Sequence, residues 1–437
     1  MNKKKRVVIH SNFSKLFTGF ARHKKNILRY LVKTGKYDII ELANSKAWDD
    51  PSFIHLPWEC YGTLPSDPIK IGQIKENKSL IRLANYGHFE IDEIIKKLKP
   101  DVYLGAEDIW AFDGYSDKPW WNKIHTAIWT TIDSTPISKE SLEFAAKTKN
   151  FFVWASFAEK EMKEKGLDHV KTINGIIDNE NLYRIKDESR DKLRASIGLD
   201  EDHFVIGFVF RNQLRKGVAN LLEGFKLFKD ENPNVKAKLL LHTSWQEGWD
   251  IESQAERFGV DMSDILTTYR CKTCGKVTIK SYEGEGRNCG QCGCKGSVGT
   301  TNTSNGISQK ELNMVYNIMD VYCHPFTSGG QEMPIQEAKL CELITLVTSY
   351  SCGEDYCDER TGGLALDWDG YLEHQTEFLK ANTKPESIKD QLSNVFKMTE
   401  SERRDMGKIA REYVFNNMSI EAIGKQIEDW LDSLEDI

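Results

Sequence analysis

The feature that most constrains the fold of this chain is an alternation of short apolar strands with amphipathic helices, which occurs twice. In the first half, apolar runs such as Val7–Ile9 and Asp38–Ala43 alternate with amphipathic stretches such as Phe20–Lys33. The pattern restarts after the charged segment Arg184–Arg194 with the strongly β-like run Phe204–Arg211. Such alternation predicts a parallel sheet with helices on both faces. The sequence therefore predicts an α/β protein with two such sheets in tandem.

The length of 437 residues is enough for two or three domains with sizeable cores. We predict a Rossmann-like domain over residues 1–185, a second over 186–415, a small insertion at 270–297, and a last helix at 416–437 that packs back on the first domain. Open α/β sheets bind ligands at the carboxyl ends of their strands, so we expect a ligand cleft faced by those ends.

Composition narrows the classes of protein. The hydrophobic fraction of 40% and charged fraction of 29% are those of a globular protein. The first apolar run stops at Ile9, too early for a signal peptide, and no stretch approaches the length of a membrane span. We therefore expect a cytoplasmic protein, in the host cytoplasm if the chain is viral. The net charge of −7 gives no general attraction to DNA or anionic lipid.

Half of the ten cysteines fall between Cys271 and Cys294. Cys271-x2-Cys274 and Cys289-x2-Cys292 are separated by fourteen residues, close to the spacing of a zinc ribbon with four thiolate ligands. Cys294 is a spare or alternative ligand. Because residues 270–295 carry six Lys/Arg against two Glu, two roles stay open. The ribbon is a structural staple, which we favour, or it binds nucleic acid or another partner.

The stretch Pro325–Glu342 contains the glycine pair Gly329–Gly330 between a predicted strand and a predicted helix that opens near Pro334. A helix N-terminus presents free N–H groups and the positive end of the helix dipole, which suit phosphate or sugar oxygens. Glu337 lies in the first turns of that helix, where a carboxylate suits a pair of ribose or sugar hydroxyls.

Two further loops resemble ligand loops. Gly19 lies directly before a helix, with Arg22 one turn in, although ordinary strand–helix turns look the same. Arg211 ends a strand and Lys216 precedes a helix, so both can reach the mouth of the second sheet and bind a diphosphate. A solvated charge pair is the alternative for these two residues.

In this order, these segments resemble the family-four glycosyltransferases, which are retaining enzymes of the GT-B fold. The matching segments are TGFARH (Thr18–His23), INGIIDNENLY (Ile173–Tyr183), and the stretches 189–217 and 308–342. The resemblance implies that Arg211 and Lys216 bind the donor diphosphate and that Glu337 binds the donor ribose. The implied donor-binding set is Gly19, Arg22, Arg211, Lys216, Gly329, Gly330, Gln331, Glu332 and Glu337.

This chain departs from the family pattern at one position. The family has two glutamates eight positions apart, and the first, which usually contacts the donor sugar, falls on Gly329. Either Glu332 replaces it, or the backbone N–H groups of Gly330 to Glu332 hold the sugar alone. The identity of the sugar is therefore left open by the sequence.

The acceptor side of the resemblance lies in the first half. Asp133 stands where the family often has a histidine, and it either accepts a hydrogen bond from the acceptor hydroxyl or starts a turn before Ser-Thr-Pro. The predicted catalytic residues are Asp133, Arg211 and Lys216. Trp110, Trp120 and Trp121 could stack on an acceptor, with core packing the better expectation for at least one.

Two smaller features belong to the second half. Asp367-Trp368-Asp369 has the form of a metal-binding motif, but we expect a surface turn there and no catalytic metal. Thr399 with Glu402 predicts a capping box at the start of a helix.

The resemblance implies a glycosyltransferase that moves a hexosyl or pentosyl group from a nucleotide-diphosphate sugar to a hydroxyl of a glycan or similar acceptor. The resemblance also implies retention and no catalytic metal, and we expect the zinc predicted from the cysteine spacing to be structural. Three alternatives remain open. One is a DNA-modifying transferase that acts on a hydroxylated base while the ribbon contacts DNA. The others are a nucleotide-sugar epimerase of the same fold and a binding protein with a degenerate sugar site.

Overall fold

A computed structural model describes residues 3–16, 18–302 and 304–435. The chain divides into two compact units, Met1–Ile177 with Asn417–Ile437, and Asp178–Asn416. Each unit is built on its own mainly parallel sheet. The predicted α/β architecture with two parallel sheets is confirmed.

Among its described residues, the first unit contains seven strands in one parallel sheet, in the order β3-β2-β1-β4-β5-β6-β7. The strands are β1 (Arg6–Asn12), β2 (Asp38–Asn44), β3 (Glu59–Gly62), β4 (Val102–Gly105), β5 (His125–Thr130), β6 (Asn150–Val153) and β7 (Lys171–Thr172). The helices are α1 (Gly19–Thr34), α2 (Pro68–Glu76), α3 (Lys78–Asn85), α4 (Ile91–Leu98), α5 (Lys139–Ala146) and α6 (Ser156–Glu164).

The second unit has a mixed sheet and a separate hairpin. Its strands are β8 (His203–Val209), β9 (Lys236–His242), β10 (Ile265–Cys271), β11 (Val277–Ser281), β12 (Val298–Thr300), β13 (Val321–His324), β14 (Ile344–Thr348), β15 (Gly363–Leu366), β16 (Trp368–Leu372) and β17 (Leu379–Thr383). Its helices are α7 (Asp187–Ala195), α8 (Val218–Glu231), α9 (Ile251–Phe258), α10 (Gln309–Ile318), α11 (Met333–Leu340), α12 (Pro385–Lys397) and α13 (Glu400–Met418).

The order in the second sheet is β11-β10-β9-β8-β13-β14-β15, with β12 also paired to β10. β11 and β12 run antiparallel to β10, and the other pairs are parallel. Since β8, β13 and β14 are parallel, the loops that follow them lie at one edge of the sheet. That edge carries the sequence stretch predicted to bind phosphate.

The last helix, α14 (Ile420–Ser433), belongs to the first unit and packs on α1. Ile423 and Ile427 enter the same core as Ile27 and Leu31. The helices approach closely at Gly424, where a Cβ atom would come within 2.3 Å of the Tyr30 ring. Burial of aliphatic side chains is worth about 1.5–3 kcal/mol each, so this contact fixes the helix on the unit.

Local sequence signals explain several element ends. Thr18 caps α1 by accepting from Ala21 N, and Gly35, at φ 67°, ends the helix in the left-handed conformation. The predicted capping box is confirmed, because Thr399 N donates to Glu402 Oε2 at 2.7 Å and Glu402 N donates to Thr399 Oγ1 at 3.2 Å.

The prediction of a surface turn at Asp367-Trp368-Asp369 is wrong. Trp368 begins β16, and Asp369 lies in register with Asn382 of β17 and forms an ion pair with Lys384 at 2.9 Å. The hairpin was missed because β16 is mostly exposed and neither short strand alternates regularly between buried and exposed residues. Among the described residues, no helix is both long and apolar enough to cross a membrane.

Candidate active site

Two loops run side by side at the carboxyl edge of the second sheet. One follows β8 and ends at Gly217, and the other follows β13 and leads into α11. Their backbones are joined through a bridge between Lys216 and Phe326, with Gly217 N donating to Pro325 O at 3.1 Å. A second bond runs from Thr327 N to Arg215 O at 2.9 Å. This pairing brings Arg215 and Lys216 to the glycine pair that follows β13.

The carboxylate of Glu332 is the centre of this arrangement. One of its oxygens, Oε2, forms an ion pair with Lys216 Nζ and contacts His324 Nε2 at 3.2 Å. The other, Oε1, accepts from Arg215 Nη1 at 2.7 Å. Glu332, Lys216 and His324 are buried, whereas the Arg215 side chain is 43% exposed. The cluster therefore has one cation that reaches solvent and one that is enclosed.

The charges of this cluster follow from its contacts. Burial alone would raise the pKa of Glu332, but the positive charges of Lys216 and Arg215 outweigh it and hold that pKa well below its ordinary value. Burial lowers the pKa of Lys216 to about 8, against the opposing effect of Glu332. At neutral pH the cluster therefore holds an ionised carboxylate and an ammonium group that loses its proton at only mildly alkaline pH.

His324 is neutral in this environment, because burial lowers its pKa to about 4. An ionised Glu332 can only accept, so the ring proton of His324 lies on Nε2. Nδ1 lies 2.8 Å from the hydroxyl of Tyr322, which also lies 3.0 Å from Val209 O. His324 thus orients the glutamate from the strand side.

Gly329 lies against the same carboxylate. A Cβ atom at this position would come within 2.6 Å of Glu332 Oε1 and 3.5 Å of Arg215 Nη1. A side chain at 329 and the present position of Glu332 are therefore incompatible. Gly329 N donates to Ser351 Oγ at 3.1 Å, which fixes the backbone of the loop.

The helix that follows begins as the sequence predicts. α11 starts at Met333 with Pro334 in its first turn, and the Glu332 side chain at the N-cap makes no capping bond. The first N–H groups of a helix have no intrahelical partner, which makes this end a suitable anion site. Gly330 is buried, and Gln331 donates from Nε2 to Gln336 Oε1 at 2.9 Å.

Glu337 lies one turn into α11 and is buried. Its Oε2 accepts from the Tyr316 hydroxyl at 2.8 Å. Arg211 lies beyond the end of β8 with its side chain 59% exposed, and its Nε donates to Glu247 Oε2 at 3.3 Å. The structure thus brings Lys216 to Glu332 and Gly329, whereas the guanidinium of Arg211 meets a different carboxylate.

Two residues of the cluster were missed at the sequence level. Arg215 directly precedes Lys216, and a pair of adjacent cations after a strand was the available signal. His324 is the last residue of β13, at the edge where ligands bind, but its contact with Glu332 depends on how the loop returns.

The first unit places its predicted residues at the equivalent edge of its own sheet. Gly19 is the exposed first residue of α1, and Arg22 lies in the next turn. Asp133 is exposed in the loop after β5. Trp121 is fully buried, which confirms that one of the predicted tryptophans packs in the core. Trp110 is 43% exposed, with the Arg82 guanidinium 3.9 Å from its ring centre.

A buried polar network, missed at the sequence level, lies at that edge. Glu107 Oε1 accepts from Ser11 Oγ at 3.1 Å, Asn12 N at 2.8 Å and Asn44 Nδ2 at 3.2 Å. Asn44 Oδ1 in turn contacts His10 Nε2 at 2.7 Å. All three donors reach the same carboxyl oxygen of Glu107, which leaves Oε2 for a further partner.

The pKa of Glu107 is raised to about 7. The largest cause is burial; the nearby charge of Asp108 adds to the rise, and the bond from Asn12 N opposes it. Carboxyls poised near neutral pH are common at sites of proton transfer. Glu107 follows β4, and the signal available in the sequence was a pair of acids, Glu107 and Asp108, directly after a buried strand.

The four predicted cysteines come together in the second unit. The Sγ atoms of Cys271, Cys274, Cys289 and Cys292 all lie within 4.8 Å of one another. Cys271 and Cys292 are 3.8 Å apart, and Cys274 and Cys289 are 3.7 Å apart. Tetrahedral metal–sulfur bonds of about 2.3 Å require sulfur separations of roughly 3.8 Å, so the four thiols fit one metal ion.

The two Rossmann-like α/β units have the GT-B fold. No protein-family model matches the chain, and no curated protein sequence matches it. Solved structures do match over almost the whole length. Sucrose-phosphate synthase from Thermosynechococcus elongatus aligns with a TM-score of 0.65 at 13% identity, covering 98% of each chain.

Two further matches have the same character. A glycosyltransferase from Rickettsia africae aligns with a TM-score of 0.66 at 13% identity, covering 98% of each chain. Anabaena HepE in complex with UDP and glucose aligns with a TM-score of 0.65 at 12% identity, covering 98% of this chain and 100% of the other. At such low identity these likenesses establish the fold, and the activity has to be argued from the site.

Proposed function

We propose that this protein is a glycosyltransferase that uses a nucleotide-diphosphate sugar, transfers with retention and needs no catalytic metal. The observation that carries this proposal is the Glu332 carboxylate, which lies over Gly329 between Lys216 and Arg215 at the start of α11. A carboxylate for sugar hydroxyls, cations for phosphates and a helix N-terminus are together what donor binding requires.

In this proposal, Glu332 contacts the donor sugar, which is the role that the resembled family gives to a glutamate at the position of Gly329. Its carboxylate already occupies the space beside the Gly329 Cα atom, so the acid reaches the same place from three residues further along the chain. Lys216 and Arg211 bind the diphosphate, as the sequence predicts, and Arg215 adds a third cation. Glu337 binds the donor ribose.

Catalysis then follows from charge placement. As the glycosidic bond breaks, negative charge develops on the leaving diphosphate. Fixed cations and helix N–H groups stabilise that charge without needing to reorganise. On the acceptor side, Asp133 and Glu107 of the first unit are the proposed hydrogen-bond acceptors for the acceptor hydroxyl, and burial raises the pKa of Glu107 to about 7, which suits a group that takes up a proton near neutral pH.

The four thiolates are proposed to hold one structural Zn²⁺. Four protein ligands leave no open position for water or substrate, so this ion would take no part in the transfer.

The test of donor binding is a thermal-shift series with nucleoside diphosphates and nucleotide sugars, begun with UDP and UDP-glucose because HepE was solved with them. Lys216→Ala should weaken UDP binding at least tenfold, since a charge-assisted contact is worth about 1.5–3 kcal/mol. Lys226→Ala is the matched control, because Lys226 pairs with Asp230 on the exposed face of α8. Equal UDP affinity in the two folded variants would refute the assignment.

The reaction is tested by following UDP release from the donor. Release that requires an acceptor, supplied as oligosaccharides or as DNA with hydroxymethylated bases, indicates transfer. Epimerisation would change the sugar of UDP-glucose with no acceptor present. Activity on the modified DNA alone would favour the DNA-modifying alternative.

A further inference from the structure

The ribbon, defined here as residues 271–297, is continuous with the sheet of the second unit. Residues 265–267 of β10 pair with β9 in parallel. Residues 266–270 of β10 also pair antiparallel with β11, and residues 269–271 pair antiparallel with β12. Cys271 is the last residue of β10, and Lys272 N donates to Ser297 O at 2.8 Å. The four thiols thus close the far end of strands whose near end belongs to the sheet.

The end of the ribbon that is nearest to the sheet packs against Trp245. The Tyr282 ring, just past β11, stacks on the Trp245 ring with centroids 3.8 Å apart and planes 6° apart. Trp245 N donates to Thr300 Oγ1 at 3.2 Å, at the end of β12. Glu285 Oε2 accepts from Thr300 N at 2.9 Å, which joins the segment after β11 to the end of β12. Trp245 is buried by these contacts.

Trp245 belongs to the loop that follows β9. This loop is hydrogen-bonded to the loop that carries Arg211 and Lys216. Asn212 Nδ2 donates to Ser244 O at 3.2 Å and to Trp249 O at 2.9 Å. In return, Trp249 N donates to Asn212 Oδ1 at 3.0 Å, and Trp249 Nε1 donates to Leu214 O at 3.2 Å.

The fit between these loops is close. Gly248 has φ 62°, and a Cβ atom there would come within 2.2 Å of Asn212 O. Glu247 of the same loop accepts from Arg211 Nε. An unbroken series of contacts therefore leads from the thiols through Tyr282, Trp245 and Asn212 to the loop of Arg211 and Lys216.

We propose that the ribbon positions the Arg211–Lys216 loop, with Tyr282 and Trp245 as the positioning residues, so that metal bound by the four cysteines strengthens nucleotide binding at a distance. This inference rests on the proposed donor site. With the metal in place, the ends of β11 and β12 are held and the Tyr282 ring stays under Trp245. Without the metal, the strands fray from the end that carries the thiols, and the Arg211–Lys216 loop has to become ordered when nucleotide binds.

This role differs from the two considered from sequence. A staple would stabilise the ribbon without affecting the nucleotide site, and a nucleic-acid knuckle would act through exposed charges at its tip. The positioning role predicts an effect of Tyr282, which bears no charge and lies between the thiols and the loop.

The experiment measures UDP affinity by calorimetry and amide hydrogen exchange over residues 210–217. The proteins are the metal-loaded wild type, the chelator-treated wild type, Cys274→Ser and Tyr282→Leu. Tyr282→Leu keeps apolar bulk and the cysteines but removes the stack, so its metal content should be unchanged. Lys295→Ala, at an exposed site on the ribbon, is the matched control.

We expect chelation, Cys274→Ser and Tyr282→Leu each to weaken UDP binding about tenfold and to speed exchange over 210–217, with Lys295→Ala like the wild type. Unchanged affinity and exchange in Tyr282→Leu would overturn the inference. So would a loss of UDP binding in Lys295→Ala alone. If the wild type binds no nucleoside diphosphate, the proposed donor site fails, while the exchange measurement still decides whether the ribbon holds the loop.

Discussion

Glu107 and Glu332 are both buried glutamates at the carboxyl edge of their sheets, and their surroundings shift their pKa values in opposite directions. Glu107 accepts three hydrogen bonds from neutral donors, and its pKa is raised to about 7. Glu332 meets Lys216 and Arg215, and its pKa lies well below the ordinary value. Burial acts on both in the same sense, so the difference comes from the neighbouring charges, which are cations beside Glu332 and the carboxylate of Asp108 beside Glu107.

The comparison shows that the same edge of two sheets can hold a buried glutamate in two different electrostatic environments. The edge of the second unit keeps a fixed anion with cations around it, an arrangement suited to orienting a charged ligand. The edge of the first unit keeps a carboxyl that gains or loses a proton near neutral pH. The same substitution, Glu to Gln, should therefore have opposite consequences at the two sites.

The largest effect is expected for Glu332→Gln. The change leaves Lys216 buried with no compensating charge, and breaking a buried pair in this way costs about 3–5 kcal/mol. We expect that loss in the free energy of unfolding of the second unit, measured by urea denaturation. UDP should restore part of it, because its phosphates replace the missing anion. A loss below about 1 kcal/mol would show that the pair is not essential to stability.

Glu107→Gln should be stabilising, and only at high pH. A folded-state pKa of about 7, above the unfolded value near 4.5, means that the folded protein holds the proton more tightly. Stability from this group is complete below pH 4.5 and is lost as the pH rises to 7, by about 3 kcal/mol in all. Glutamine cannot ionise and keeps the oxygen that accepts from Asn12 N.

The check is the difference in unfolding free energy between Glu107→Gln and wild type at pH 5 and pH 8. Most of the gain should be visible at pH 8 and little of it at pH 5. Since Asp108 and Lys24 also act on Glu107, their charges are kept in both proteins. A variant that is less stable than wild type at pH 8 would show that the carboxylate form is the native one.

A smaller effect is expected for Gly329→Ala. The new methyl group would meet Glu332 Oε1 at 2.6 Å and force the carboxylate away from Arg215. The cost should be about 1–2 kcal/mol in stability, with weaker donor binding. Gly72→Ala is the control, since its Cβ would meet no atom within 4 Å. If both variants have the same free energy of unfolding, Glu332 moves aside at no cost and its contact with Gly329 does not contribute to stability.

The smallest change in stability is expected for Arg211→Ala. The Arg211 side chain is mostly exposed and its ion pair with Glu247 is long, so its loss should change unfolding by less than about 1 kcal/mol. UDP affinity should nevertheless fall severalfold, because a diphosphate contact disappears. Unaltered UDP binding would leave Lys216 and Arg215 as the cations of the site.

The sequence by itself determined the architecture and the cluster of four cysteines. Strand–helix alternation is a local pattern, so the parallel sheets could be predicted from runs such as Val7–Ile9. The four cysteines could be recognised from their spacing, because a zinc ribbon brings its ligands together by short turns. Pro334 after a glycine pair likewise marked the start of α11, and Thr399 with Glu402 marked the capping box.

Only the tertiary structure decided which partners the buried glutamates contact and in which direction their pKa values shift. Glu332 contacts Arg215 and Lys216 across more than a hundred residues of chain, and Glu107 meets Asn12 and Asn44 across three strands. Their pKa directions depend on burial and on which donors arrive, and neither is encoded by local sequence. The link from the ribbon to Asn212 through Tyr282 and Trp245 has the same cause, since stacking and loop contacts form only after the strands have paired.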